Sequence, residues 1–139
     1  MKSDLKVRPF RIDDYDEVVS LWKEAGIALS LSDTRESLEA KSRRDAELFI
    51  VLEQLDDIVG VVMGCFDGRR GWINHLAVLP SRQGRGLGQY LVSELEERFR
   101  AIGCEKVNLL IELDNAEVQS FYRRFGYARD DLIFMEKWL

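Results

Sequence analysis

The chain has 139 residues, of which 46% are hydrophobic and 32% charged, and its formal net charge is −5. This length suits one domain around one core, and the composition excludes a disordered chain. The acidic balance excludes a nucleic-acid surface, which needs a basic stripe, and the longest apolar run, residues 58–66, is far short of a membrane span.

Residues 5–9 read as a first strand. Asp13 and Asp14 open a helix whose apolar face is Val18, Val19, Leu21, Trp22 and Ala25, and Gly26 stops it. Residues 27–33 form an apolar, serine-bearing loop. The spacing then predicts a densely charged surface helix over 34–44, packed through Leu38 and little more. Strands follow at 48–53 and 58–66, with a turn at 55–57 between them; Gly60 and Gly64 are expected to weaken the second or mark a bend. A hairpin turn at 67–71 leads into a central strand at 72–79. The next helix runs to about Ile102, with Leu87, Leu91, Val92, Leu95, Phe99 and Ile102 on one face and Gly103 after its end. Residues 107–113 read as a strand buried on both faces, Asp114 or Asn115 as the cap of a helix to Phe125, and residues 132–139 as a final strand. The order predicts a single α/β (α+β) domain over 1–139: one mixed sheet with helices on both faces. Met1-Lys2-Ser3-Asp4 lacks the apolar run of a secretory leader, and Cys65 and Cys104 read as buried reduced thiols; both point to the cytoplasm.

The stretch most telling of function is the turn Gln83-Gly84-Arg85-Gly86-Leu87-Gly88, between the central strand and the long helix. The first N–H groups of a helix lack internal partners, and the dipole places partial positive charge there, so the turn suits a pyrophosphate. Glycines remove the β-carbons that would hold an anion away from those amides. A P-loop would need Gly-Lys-Ser/Thr where this turn has Gly-Leu-Gly, and a dinucleotide fingerprint would need glycine at Gln89.

Taken with Leu76-Ala77-Val78 at the end of the central strand, this turn resembles the Gln/Arg-x-x-Gly-x-Gly/Ala motif of the GNAT superfamily of acyl-CoA-dependent N-acyltransferases. A second block of that family, an Asn followed by Phe/Leu-Tyr-x-x-x-Gly-Phe/Tyr, is matched by Asn115 and by Phe121-Tyr122-Arg123-Arg124-Phe125-Gly126-Tyr127. The resemblance spans residues 5–139 and is greatest to small bacterial stand-alone enzymes. It implies a mostly antiparallel sheet in which the two motif-bearing strands are parallel and splay apart. It implies acetyl-CoA as cosubstrate, with binding residues Leu76, Ala77, Val78, Gln83, Gly84, Arg85, Gly86, Leu87, Gly88, Gln89, Asn115 and Tyr122. The reaction it implies is direct attack of a primary amine on the thioester, with Tyr122 as general acid.

The base is less clearly marked. Many family members carry a glutamate where this chain has Trp72. His75, the only histidine, and Glu112 are the candidates, and a base acting through ordered water is the competing solution. With one histidine and no C-x-x-C, no metal site is expected. The implied partner is a small-molecule, peptide or protein amine, with no nucleic acid and no membrane; family members often form homodimers. The loop 27–33, the start of the central strand and residues 128–131 flank the acceptor in the family. A non-catalytic acyl-CoA sensor is the alternative function.

Overall fold

The computed structural model describes residues 4–139, so the reading of Met1 to Ser3 lies outside the described residues. The chain divides into two compact units, Met1–Leu109 and Leu110–Leu139.

The first unit is built on a five-stranded sheet of order β1-β2-β3-β4-β5. Strands β1 (Leu5–Pro9), β2 (Phe49–Gln54), β3 (Asp57–Phe66) and β4 (Gly71–Val78) pair antiparallel, and β5 (Val107–Leu109) joins β4 in parallel. Tight connections explain the antiparallel run. Leu55 and Asp56 both take positive φ in the β2–β3 turn. In the β3–β4 hairpin, Asp67 accepts from the Arg69 and Arg70 amides at 2.7 Å each.

Side chains alternate across a strand, so each face collects its own core. Phe49, Val51, Val61 and Ala77 pack with Val18, Leu21 and Trp22 of α1 (Tyr15–Glu24) and with Leu38 of α2 (Arg35–Arg44). Phe10 stacks on Phe49 with ring centroids 4.2 Å apart. The opposite face receives α3 (Leu87–Ala101), whose Leu87, Leu91, Val92, Leu95 and Phe99 are buried; Ile102, expected on that face, is the C-cap past the last turn and is exposed. Three glycines set how closely α3 approaches. A Cβ added at Gly60 would meet Leu91 Cδ1 at 2.7 Å, one at Gly64 would meet Leu95 Cδ1 at 2.8 Å, and one at Gly71 would meet Phe99 Cε1 at 2.8 Å. Gly60 and Gly64 are therefore seats for a helix, where the sequence suggested weak points or a bend.

At the rim, the Arg8 guanidinium grips both Asp14 oxygens, at 2.7 and 2.9 Å, and also bonds Glu53. Burial alone would raise the Asp14 carboxyl, but the Arg8 bonds and the Arg11 amide outweigh it and hold the group below its ordinary value.

The second unit has less regular structure than the sequence implies. A 3-10 helix, Leu113–Val118, precedes α4 (Gln119–Arg123). The position before that first turn is Glu112, and Asn115 lies inside it with non-helical φ −119°, so neither Asp114 nor Asn115 is the cap. The predicted strand 107–113 ends at Leu109 and is half-buried throughout. Residues 132–139 form no strand; Leu132, Ile133, Phe134, Met135 and Trp138 are exposed. Their run of four consecutive apolar residues has no alternation, and a strand exists only with a ladder partner.

Candidate active site

The sheet opens along β4. Pairing with β5 covers only Gly71, Trp72 and Ile73, and no strand lies beside residues 74–78 on that edge among the described residues. The same stretch of β4 is irregular on its other side. Val61 faces Ala77 while Met63 faces Asn74, so β4 spends one more residue than β3, and His75 sits in that bulge with φ +54°. Bulges re-aim backbone groups and side chains. Here the bulge lies on the stretch of β4 beyond its pairing with β5, next to Leu76, Ala77 and Val78.

The glycine turn follows directly. Pro80–Arg82 is a single 3-10 turn, and Gln83 donates from Nε2 to the Val78 carbonyl at 3.1 Å, tying the turn back to the end of β4. Gly84 and Gly86 have φ +79° and +77°, a conformation that only residues without a Cβ adopt freely. Gly86 is the N-cap of α3 and supplies no side-chain cap, so the amides of the first turn have no protein acceptor from that position. A Cβ at Gly84 would meet nothing within 4 Å, and one at Gly86 would reach only Gln89 Oε1 at 4.0 Å. Arg85 is exposed, Leu87 is buried in the core, and Gly88 is half-buried. This is an open cradle of amides at the positive end of a 15-residue helix, and it fits a phosphate group.

His75 is held from three sides. Its Nε2 lies 3.2 Å from Asp33 Oδ2, the ring meets Trp22 edge-on at 4.9 Å, and its carbonyl accepts from Trp22 Nε1 at 3.0 Å. Asp33 is itself fixed: its carboxylate accepts from the Ser30 amide at 2.9 Å, and its carbonyl accepts from the Tyr15 hydroxyl at 2.8 Å. A carboxylate accepting from Nε2–H leaves Nδ1 as the ring's acceptor, the form a base requires. The pair stands at one end of an open cleft of about 650 Å³ between α2 and the β3–β4 hairpin. Ser30, Ser32 and Asp33 of the 27–33 loop line it, as do Asn74 and His75 of β4. Cys104 is buried, but Cys65, expected to be so, is half-buried in the cleft wall, with its Sγ 3.5 Å from Arg44 Nη1.

Asp33 escaped the sequence reading. A Ser-x-x-Asp turn in a loop signals only local capping, and its contact with His75 spans 42 residues. The α2 face was missed as well: the sequence predicts a charged surface helix packed through Leu38 and little more, yet Ser37, Lys41 and Arg44, at helical spacing, all line the cleft. Trp72, at the position of the family glutamate, is half-buried and pairs with Cys65 and Asn108.

In the second unit, Glu112 and Asn115 are exposed, and the Asn115 amide donates to the Glu112 carbonyl at 2.9 Å. Tyr122 is buried, with its ring edge-on to Phe121 and to Tyr127. Burial pushes its phenol up to about 12. Among the described residues no group of three His, Cys, Asp or Glu side chains could hold a metal, and no helix is long and apolar enough to cross a membrane.

The comparisons with known proteins agree with this arrangement. The model of the acetyltransferase (GNAT) family matches residues 15–127. An acetyltransferase of Sodalis glossinidius is 37% identical over 131 residues, covering 94% of this chain and 92% of that protein. A Yersinia pestis acetyltransferase is 38% identical over 135 residues, covering 97% and 96%. Among solved structures, the PaiA N-acetyltransferase of Thermoplasma acidophilum in complex with coenzyme A superposes with a TM-score of 0.83 at 18% identity, covering 93% of this chain and 92% of that one. An acetyltransferase of Trypanosoma brucei gives 0.73 at 28% identity, covering 97% and 100%.

Proposed function

The chain belongs to the acetyltransferase (GNAT) family, and from that premise we propose how its residues divide the work of moving an acetyl group from acetyl-CoA to a primary amine. The observation that carries the reading is the adjacency, within one unit, of an unpaired β4 edge and the amide cradle at the start of α3.

Acetyl-CoA, when bound, supplies an acyl thioester. The amides of residues 84–88 hold its pyrophosphate, with Gln83, Arg85 and Gln89 around the turn. The open edge at Leu76, Ala77 and Val78 hydrogen-bonds the amide-bearing arm as an added strand would. A backbone N–H of the same stretch supports the carbonyl oxygen as negative charge develops there, and the bulge at His75 aims it.

An alkylamine has pKa about 10, so at neutral pH it arrives as an ammonium with no lone pair. The small neutral fraction attacks, and His75 takes the proton at Nδ1 as the C–N bond forms and the nitrogen turns acidic, with Asp33 holding the tautomer in which Nδ1 is free to accept. Glu112, which is exposed, is the weaker candidate. Family resemblance assigns the leaving sulfur to Tyr122 and a cosubstrate contact to Asn115. A phenol at about 12 stays protonated at every working pH. It gives up its proton to a thiolate of pKa about 8.5 only uphill, so Tyr122 serves as a hydrogen-bond donor and solvent completes the protonation. A cytoplasmic site of action fits two free cysteines.

The test is thiol release from acetyl-CoA by the full chain against a panel of primary amines, with the acetylated amine identified by mass. Amine-dependent release with stoichiometric N-acetyl product supports the reading. Acetyl-CoA binding without release for any amine would make the chain a sensor.

A further inference from the structure

The cleft beside His75 carries charge at both ends, and the two ends differ in sign. At one end stands Asp33, buried and bonded to His75. At the other end α2 presents Lys41 and Arg44. Lys41 Nζ bonds Asp45 Oδ2 at 2.6 Å and the Gly64 carbonyl. Arg44 Nη1 bonds the same Asp45 oxygen at 2.8 Å, and Nη2 bonds the Phe66 carbonyl at 3.3 Å. Two cations thus share one buried carboxylate, which leaves a net positive charge at that end. The Asp45 and main-chain bonds hold the guanidinium in place, but its side chain is still 57% exposed and faces the cleft with donors to spare. Met63 and Cys65 of β3 form the floor between the two ends.

From this charge layout we infer that the acceptor is a small primary amine that also carries an anionic group, a carboxylate or a phosphate. The amine lies at Asp33 and His75, and the anion lies at Arg44 and Lys41. The inference rests on the acetyl-transfer reading above and adds the substrate class. The cleft volume is in the range of small-molecule sites, which suits a compound of that size. Its length follows from the helix: the seven steps from the N-cap Thr34 to Lys41 rise about 10 Å at 1.5 Å per residue. An ammonium at one end is drawn by the Asp33 carboxylate before it loses its proton. An oxyanion at the other meets a planar fork of N–H donors that suits it. Opposite charges at opposite ends also fix the direction in which the acceptor enters, which presents its nitrogen, and not its anion, to the base.

The experiment compares acceptors that differ only in the anion: ω-aminooctanoate and ω-aminooctyl phosphate against octylamine, each with acetyl-CoA, in the wild type and in Arg44→Gln and Arg44→Glu. The wild type should show kcat/KM at least about tenfold higher for an anionic acceptor, the scale of one charge-assisted hydrogen bond. The ratio should fall toward one in Arg44→Gln, and Arg44→Glu should favour octanediamine instead. Whichever of carboxylate or phosphate gains more identifies the natural anion. Calorimetric acetyl-CoA affinity and melting temperature, both near wild type, establish that each variant is folded and loaded. Equal kcat/KM for octylamine and its anionic counterparts in the wild type, or a preference that survives both Arg44 variants, overturns the inference while leaving acetyl transfer intact. Failure of every amine to release thiol overturns the transfer reading and this inference with it.

Discussion

Replacing Gly64 by alanine tests whether α3, and with it the phosphate cradle, is seated by a glycine row. The added methyl would lie 2.8 Å from Leu95 Cδ1, 3.0 Å from the Leu48 carbonyl oxygen and 3.2 Å from Leu48 Cβ. Leu95, like Leu91, is fully buried and its Cδ1 is the end of a side chain, so what sets Gly64 apart is the Leu48 main chain. The Leu48 carbonyl accepts from the Gly64 amide at 2.8 Å, so it moves only by breaking that bond. Overpacking of this kind costs about 1–3 kcal/mol. Reduced freedom of the unfolded chain returns about 0.4–1 kcal/mol. The expected net loss is about 1–2 kcal/mol, or a melting temperature lower by roughly 3–8 °C for a chain of this size. Gly60→Ala provides the contrast. There the obstacle is the single atom Leu91 Cδ1 at 2.7 Å, the end of a side chain, and the nearest main-chain atom is 3.5 Å away. It should therefore cost less than Gly64→Ala. Urea unfolding followed by circular dichroism measures both. Gly64→Ala as stable as wild type, or less harmful than Gly60→Ala, would refute the reasoning that α3 is held at contact distance by these positions.

Three further outcomes are expected. Asp33→Asn would let the amide NH₂ donate to His75 Nε2 and place the ring proton on Nδ1; kcat should fall by about 10²-fold or more with acetyl-CoA affinity unchanged, and an equal fall in both would make Asp33 merely structural. Tyr122→Phe should slow single-turnover transfer by about 10- to 10²-fold, the scale of a hydrogen bond to a developing charge, and rates within threefold would leave Tyr122 a packing residue. The depressed Asp14 carboxyl gives stability that is fully present above its ordinary pKa of 3.8 and is lost as pH falls through the lower folded value. Asp14→Asn should lack that acid limb in denaturation measured across pH, and an unchanged limb would assign acid sensitivity to other groups.

The elements of the first unit were legible because their signals are local. Residues 5–9 form β1 as read, and Thr34, read as the start of a helix, caps α2 through its hydroxyl. The glycine turn at the N-terminus of α3 was also readable, since positive φ and a missing Cβ are both written in residue type. What the sequence hid is what depends on distant partners. The roles of Gly60 and Gly64 depend on Leu91 and Leu95, some 31 residues away in each case. The tie between Asp33 and His75 likewise needs the fold to bring a loop against a strand bulge. The reading failed most plainly at residues 132–139, read as a final strand, where no ladder exists. It also overextended β5 by four residues, because apolar content continues past Leu109 while pairing does not.

The most direct test of the account is acetyl-CoA affinity in Gly86→Asp against Gly86→Asn. Both side chains tolerate the left-handed backbone that Gly86 adopts at φ +77°, both enter open space, and they differ essentially in charge. If residues 84–88 cradle a pyrophosphate, the aspartate variant should bind acetyl-CoA at least about tenfold more weakly than the asparagine variant by calorimetry, and added salt should narrow the gap. Equal affinities for two folded variants would contradict the assignment of the cosubstrate to this turn.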